Sequence, residues 1–177
     1  LKIPNVTVDN SKDLYTFDKV ILPGVGSFDH AMQNLIRTSF SNSILELVVK
    51  KKIFILGICL GMQLFYEYSE EDGGCKGLGI IKGKVKRIQN SKNIRIPNIG
   101  WRKISNYNKS IIFSSIEVDP IFYFVHSYAC QTIDRNFVTG VLNYGQCFDV
   151  IIEADNIFGT QFHPEKSQEA GLKIFKN

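Results

Sequence analysis

Apolar residues in the first half of the chain fall into short runs separated by stretches of helical spacing. Residues 18–22 (Asp-Lys-Val-Ile-Leu) read as a strand that Pro23 ends, entering a Gly-rich turn at 23–26. Residues 28–37 follow as a helix, with Ser27 at its N-cap and Asp29 in its first turn. A second helix is predicted over 43–52. Ile44, Leu45, Leu47 and Val48 mark its inner side, and Lys50, Lys51 and Lys52 suit the negative end of its dipole. Residues 53–56 are an apolar run of buried-strand length, and 62–68 read as the start of another helix. Residues 70–79, with Gly73, Gly74, Gly77 and Gly79, read as a loop.

The second half predicts strands in hairpin-like succession: 78–88 with a turn near Gly83, then 110–113, 121–125, 136–143, 149–154 and 156–162. Residues 90–93 are polar and expected exposed, 96–101 read as a short irregular segment, and 168–176 as a closing helix. Alternating strands and helices followed by further strands predict an α/β fold. Its central sheet is expected to be mostly parallel and flanked by helices, with a smaller antiparallel set of strands, in one domain over residues 1–177. Ligands of such sheets collect at the carboxyl ends of strands. Three stretches lie at such ends: 23–26, 57–61 and 163–165.

Composition narrows this little. The 177 residues are 44% hydrophobic and 21% charged, ordinary for a globular chain. No apolar run is long enough to span a membrane, and residues 1–10 lack the basic and apolar regions of a signal peptide. Cys59, Cys75, Cys130 and Cys147 show no C-x-x-C spacing, so no metal site is expected, no disulfide framework is needed, and a reducing cytoplasm is the expected setting. The net charge of +4 is scattered. Its densest run, 82–87 (Lys-Gly-Lys-Val-Lys-Arg), alternates as a strand with one solvated face does, which argues against a nucleic-acid patch.

Candidate chemistry begins at 57–61, Gly-Ile-Cys-Leu-Gly. Glycines two residues either side of a cysteine allow a sharp strand-to-helix turn that pushes the middle side chain out of the sheet. Cys59 would then sit at a helix N-terminus, where the thiolate is favoured and the N–H of Leu60 can hold an oxyanion. The alternative is a small buried cysteine at a strand end. A cysteine nucleophile needs a base. Among His30, His126 and His163, only His163 has a carboxylate two positions away at a strand end, and Glu165 can fix its tautomer. His30 is expected to be solvated, and His126 to pack or hydrogen-bond locally. A structural histidine in a tight turn, and a core Trp101, stay open on these residues alone.

Gly-Ile-Cys-Leu-Gly-Met-Gln (57–63) with Phe-His-Pro-Glu (162–165) resembles the class I (triad) glutamine amidotransferases. Further stretches resemble one branch of that family, the glutaminase subunits of imidazole glycerol phosphate synthases: 23–28 (Pro-Gly-Val-Gly-Ser-Phe), 97–101 (Pro-Asn-Ile-Gly-Trp), 124–128 (Phe-Val-His-Ser-Tyr) and 163–167 (His-Pro-Glu-Lys-Ser). The resemblance implies that Cys59 attacks the glutamine amide, His163 carries the proton and Glu165 orients His163. It implies oxyanion donors at Leu60 and at Val25 or Gly26, from a strand that rotates an N–H into place. Gly24, Gln63, Ser127 and Tyr128 fall at substrate-holding positions. Asn98, Trp101, Tyr123 and Lys166 fall at positions facing a cyclase subunit of (β/α)₈ fold, with which the family forms a heterodimer that channels ammonia into histidine biosynthesis. Asn98 and Arg102 depart from the family's usual histidine and asparagine. No cofactor is implied. The family's first strand and helix lie upstream of Leu1, so the fold expected of residues 1–177 lacks them. An alternative is a paralogue that supplies ammonia to amidino sugars. A non-enzymatic binding module and a cysteine hydrolase of other substrates are the remaining rivals.

Overall fold

The computed structural model describes residues 3–90, 94–105, 107, 110–116 and 119–177. Its strands are β1 (Lys19–Gly24), β2 (Phe54–Cys59), β3 (Tyr66–Ser69), β4 (Cys75–Lys76), β5 (Ile81–Arg87), β6 (Asn98–Lys103), β7 (Ile121–His126), β8 (Tyr128–Thr132), β9 (Val138–Asn143), β10 (Cys147–Ala154) and β11 (Ile157–Thr160). The α-helices are α1 (Phe28–Arg37), α2 (Phe40–Leu45), α3 (Leu60–Gln63) and α4 (Gln168–Ile174).

One large sheet runs β1-β2-β11-β10-β8-β5-β3-β4, with β9 also on β10. It is mixed. The pairs β1–β2, β2–β11 and β3–β5 are parallel, whereas β11–β10, β10–β8, β8–β5, β3–β4 and β9–β10 are antiparallel. The expected parallel character thus belongs above all to the end that carries the elbow. β2 lies between β1 and β11, and its near-continuous apolar run is what a strand covered on both faces requires. The second, smaller sheet is the antiparallel ribbon β6–β7.

Apolar side chains sort into two clusters. One gathers Phe28, Met32, Leu47, Ile55, Met62, Phe65 and Tyr66, under α1 and α2. The other gathers Phe113, Phe122, Phe124, Phe148, Phe162 and Ile174, under the β6–β7 ribbon and α4. Burying each such side chain contributes about 1.5–3 kcal/mol.

Several elements differ from expectation for identifiable reasons. The helix expected over 62–68 ends at Gln63, and the chain re-enters the sheet as β3. Tyr66 there is fully buried with its hydroxyl on Thr132 Oγ1 at 2.7 Å, a tertiary contact that outweighs local helical spacing. Residues 111–113 form a 3₁₀ turn rather than a strand, because the Glu153 carboxylate accepts the N–H groups of Ile111 and Ile112. The segment 96–101, read as irregular, enters strand β6 at Asn98, and β8 and the 3₁₀ turn Ser11–Thr16 carry no clear signal in the sequence. The second helix begins at Phe40 and passes into a π turn at Glu46–Lys50. Ser27 stands at the N-cap of α1, but its side chain makes no cap. The Glu71 carboxylate accepts the Phe28 N–H instead, at 2.9 Å. β5 alternates buried and exposed as expected. Asn90 is exposed, and 91–93 lie outside the described residues. Among the described residues, no helix is long and apolar enough to cross a membrane, and no three acidic, cysteine or histidine side chains cluster as metal ligands would.

Candidate active site

β2 and β11 run parallel with Ile58 opposite Thr160, so Cys59 and the segment 161–165 leave the sheet at the same carboxyl end. Cys59 takes φ 53°, ψ −106°, outside the helical and extended wells. A non-glycine residue held there costs about 1–3 kcal/mol and persists only where its surroundings enforce it. The flanking glycines supply the enforcement through close approach. A Cβ on Gly61 would lie 1.8 Å from the Leu22 carbonyl oxygen, and one on Gly57 2.6 Å from the Met62 nitrogen. The elbow expected from the Gly-x-Cys-x-Gly spacing is therefore present, locked between β1 and its own helix.

The expected thiolate is not. Burial pushes the Cys59 thiol up to about 11, while the Leu60 N–H and the Gln161 amide pull it down by less. Cys59 is only 8% exposed, and α3 is a single turn, too short for its dipole to outweigh the loss of water.

His163 Nδ1 stands 2.7 Å from Glu165 Oε1. A carboxylate only accepts, so Nδ1 carries the proton and Nε2 is left as the basic atom. That Nε2 is buried with no hydrogen-bond partner. It makes no hydrogen bond to Cys59 Sγ, which instead takes one from Gln161 Nε2 at 3.5 Å. The histidine is firmly held. Its N–H bonds the Tyr123 carbonyl, and Ser167 Oγ donates to the His163 carbonyl while accepting the Tyr123 N–H. Phe162, one residue before, stacks on Phe122 with ring centroids 4.0 Å apart.

The turn after β1 is open by contrast. Val25 is 83% exposed, and Gly26, at φ 102°, has nothing within 4 Å of the Cβ it lacks. Gly24 closes against the elbow, its missing Cβ 2.9 Å from the Gly61 nitrogen. Gln63 is buried, and its amide nitrogen is spent on the Tyr128 carbonyl at 3.1 Å and Gln161 Oε1 at 2.9 Å. Any contact it makes to a ligand therefore runs through its oxygen. Ser127 and Tyr128 are half-buried, and the Tyr128 ring packs on the first apolar cluster. Sequence reasoning missed Gln161. Its only signal is its place between the end of β11 and Phe162.

Alternation along the ribbon turns one face outward. Trp101, 43% exposed, meets Tyr123 edge to face, with centroids 5.9 Å apart, and Lys166 Nζ lies 5.8 Å from the Tyr123 ring centre. Ile99 and Ile121 are exposed on the same side. Asn98, expected on this strip, is turned inward and fully buried, its amide 3.0 Å from His126 Nε2. His126 pairs locally, as expected, and burial pushes it down to about 4. His30 is exposed.

Residues 2–177 match the family described as glutamine amidotransferase class-I. The chain is 44% identical over 173 residues to the imidazole glycerol phosphate synthase subunit HisH 1 of Campylobacter jejuni, covering 98% of this chain and 86% of that one. It is 44% identical over 178 residues to the HisH subunit of Chlorobaculum tepidum, covering 100% and 88%. Against the HisH subunit of Methanocaldococcus jannaschii it is 43% identical over 172 residues, covering 97% and 85%. Among solved structures it resembles a glutamine amidotransferase with a TM-score of 0.72 at 15% identity, covering 95% and 82% of the two chains. It also resembles a glutamine amidotransferase from Thermotoga maritima with a TM-score of 0.61 at 18% identity, covering 99% and 66%. At these identities the likeness is one of fold.

Proposed function

The chain belongs to the class I glutamine amidotransferase family, and we propose that it is the glutaminase subunit of an imidazole glycerol phosphate synthase. The observation that carries this reading is identity of 39–44% to HisH subunits along nearly the whole chain, together with the locked Cys59 elbow beside the His163–Glu165 pair.

In this reading the Cys59 thiol passes its proton to His163 Nε2 as Sγ attacks the side-chain amide carbon of glutamine. Glu165 accepts from Nδ1 throughout and stabilises the imidazolium. Leu60 and the 25–26 turn supply N–H groups to the tetrahedral oxyanion. Collapse breaks the C–N bond, the His163 proton leaves with ammonia, and a glutamyl thioester remains. Water then attacks the thioester, His163 takes one of its protons, and glutamate departs as Sγ is reprotonated. A thiol buried and protonated at rest, without a hydrogen bond to its base, fits an enzyme that idles until its site is reorganised. Gln63 Oε1, an acceptor, suits the α-ammonium of glutamine, with Gly24, Ser127 and Tyr128 around it.

The exposed Ile99, Trp101, Ile121 and Lys166 surround the half-buried Tyr123, whose carbonyl holds the His163 N–H, and this strip suits a partner subunit. We assign it to a (β/α)₈ cyclase, into which ammonia passes without meeting bulk water, where it would be protonated. The test is to purify the chain with that subunit and measure glutamate release and imidazole product. Activity in the wild-type pair that vanishes in Cys59→Ala is the expected result. Hydrolysis surviving in Cys59→Ala overturns the mechanism, and unimpaired growth without histidine after gene deletion redirects the ammonia to another acceptor, such as a sugar.

A further inference from the structure

We propose that Gln161 is a positioning residue for the nucleophile, its amide held by Gln63 so that an N–H bears on the Cys59 sulfur. The inference rests on the reading of Cys59 as nucleophile and concerns how its thiol is presented.

Amide orientations in this cluster follow from one group that cannot be reversed, the Tyr128 carbonyl. It only accepts. It lies 2.8 Å from His126 Nδ1 and 3.1 Å from the Gln63 amide nitrogen, so both must donate to it. With its nitrogen facing Tyr128, Gln63 sends its second N–H 2.9 Å to Gln161 Oε1. Gln161 then has its oxygen committed, and its NH₂ group is turned to Cys59 Sγ at 3.5 Å. On the far side, His126 with its proton on Nδ1 accepts at Nε2 from Asn98 Nδ2, 3.0 Å away. Two donors thus converge on the Tyr128 carbonyl, His126 from the ribbon and Gln63 from α3, and the second N–H of Gln63 starts a directed chain through Gln161 to the sulfur. Gln161 is fully buried, so no water competes for its N–H.

Such a donor does two things for a buried thiol. It favours the thiolate against the opposing effect of burial, and it fixes where the sulfur lone pairs point. The lowering effect of the Gln161 amide on the Cys59 thiol is in the same direction.

The test reads the sulfur directly and needs neither glutamine nor the partner. Carbamidomethylation of Cys59 by iodoacetamide is followed against pH by peptide mass spectrometry in the full chain, with the exposed Cys147 as internal control. Gln161→Met keeps the volume and removes the donor; Gln161→Glu keeps the shape and presents a carboxylate oxygen. We expect alkylation of Cys59 well below its midpoint, taken as a ratio to Cys147, to slow roughly tenfold in Gln161→Met and by more in Gln161→Glu, with an unchanged slope against pH. Gln63→Met, which frees Gln161 to turn, should slow it in the same way. A site merely loosened would open the sulfur to reagent and speed its alkylation, and that outcome overturns the proposal. So does an unchanged rate ratio in Gln161→Glu. A wild-type Cys59 that never reacts while Cys147 does removes the nucleophile itself, a failure of the functional reading and distinct from either.

Discussion

Two strand-to-helix turns meet at the site, and they are built in opposite ways. The elbow at 57–61 is buried, with Gly57 and Gly61 pressed against backbone atoms and Cys59 forced to a positive φ. The turn at 23–26 stands out in solvent, with Val25 exposed and open space around Gly26. The proposed nucleophile and base are therefore anchored, whereas the proposed second oxyanion donor sits on the part of the site with least to restrain it. Such a division lets a partner act on the loose turn without disturbing the sulfur.

The contrast is broken most severely by Gly61→Ala. A Cβ 1.8 Å from the Leu22 carbonyl forces β1 and the elbow apart, since neither atom belongs to a flexible side chain. A loss of about 3 kcal/mol or more in unfolding free energy is expected, with glutamine turnover abolished. Urea denaturation of the variant measures it, and near-wild-type stability would mean the elbow is less locked than its contacts indicate.

Next in size is a pH effect on the anchored half. His126 is buried between the Asn98 amide and the Tyr128 carbonyl, and its pKa is lowered from 6.5 to about 4, first by burial. The unfolded chain then binds a proton that the folded chain refuses. Stability from this group is complete above pH 6.5 and is lost as pH falls through about 4, by about 3 kcal/mol. Urea titrations at pH 7 and pH 4 in wild type and His126→Gln isolate the share due to this residue, because other acid-titrating groups cancel in the difference.

These two halves were not equally legible in the sequence. Glycine spacing around Cys59 and the carboxylate beside His163 carried the anchored chemistry, because close approach and tautomer control demand those residue types at those intervals. Gln161 and Ser167 left no comparable mark, since a buried amide or hydroxyl earns its role only from partners far along the chain, such as Gln63 and Tyr123. The same long-range pairing hid β3, where Tyr66 answers to Thr132 rather than to its helical neighbours. The two Gly-rich turns looked alike in sequence, and only packing separates them.

A smaller effect should separate them in solution. Gly26→Ala places a side chain at φ 102° with room around it, so the cost is backbone strain alone, about 1–2 kcal/mol. Because that strain falls on the proposed oxyanion turn, turnover of glutamine by the complex should fall about 10²-fold while the urea midpoint falls by that strain alone, well short of the loss in Gly61→Ala. Stability and activity therefore part company here, whereas in Gly61→Ala they fall together.

Val25→Ala is the finest probe. The side chain is 83% exposed, so truncating it removes little apolar surface from contact, and stability should stay within about 0.5 kcal/mol of wild type. If the turn works by swinging as a unit, a smaller side chain changes the balance between its two positions rather than either end state. The expected signature is a change in glutaminase rate of the isolated subunit, with the rate in the activated complex unchanged, measured as glutamate release with and without partner and nucleotide. Equal changes in both conditions would mean that Val25 contacts the reacting groups directly and that the open turn is already in its working position.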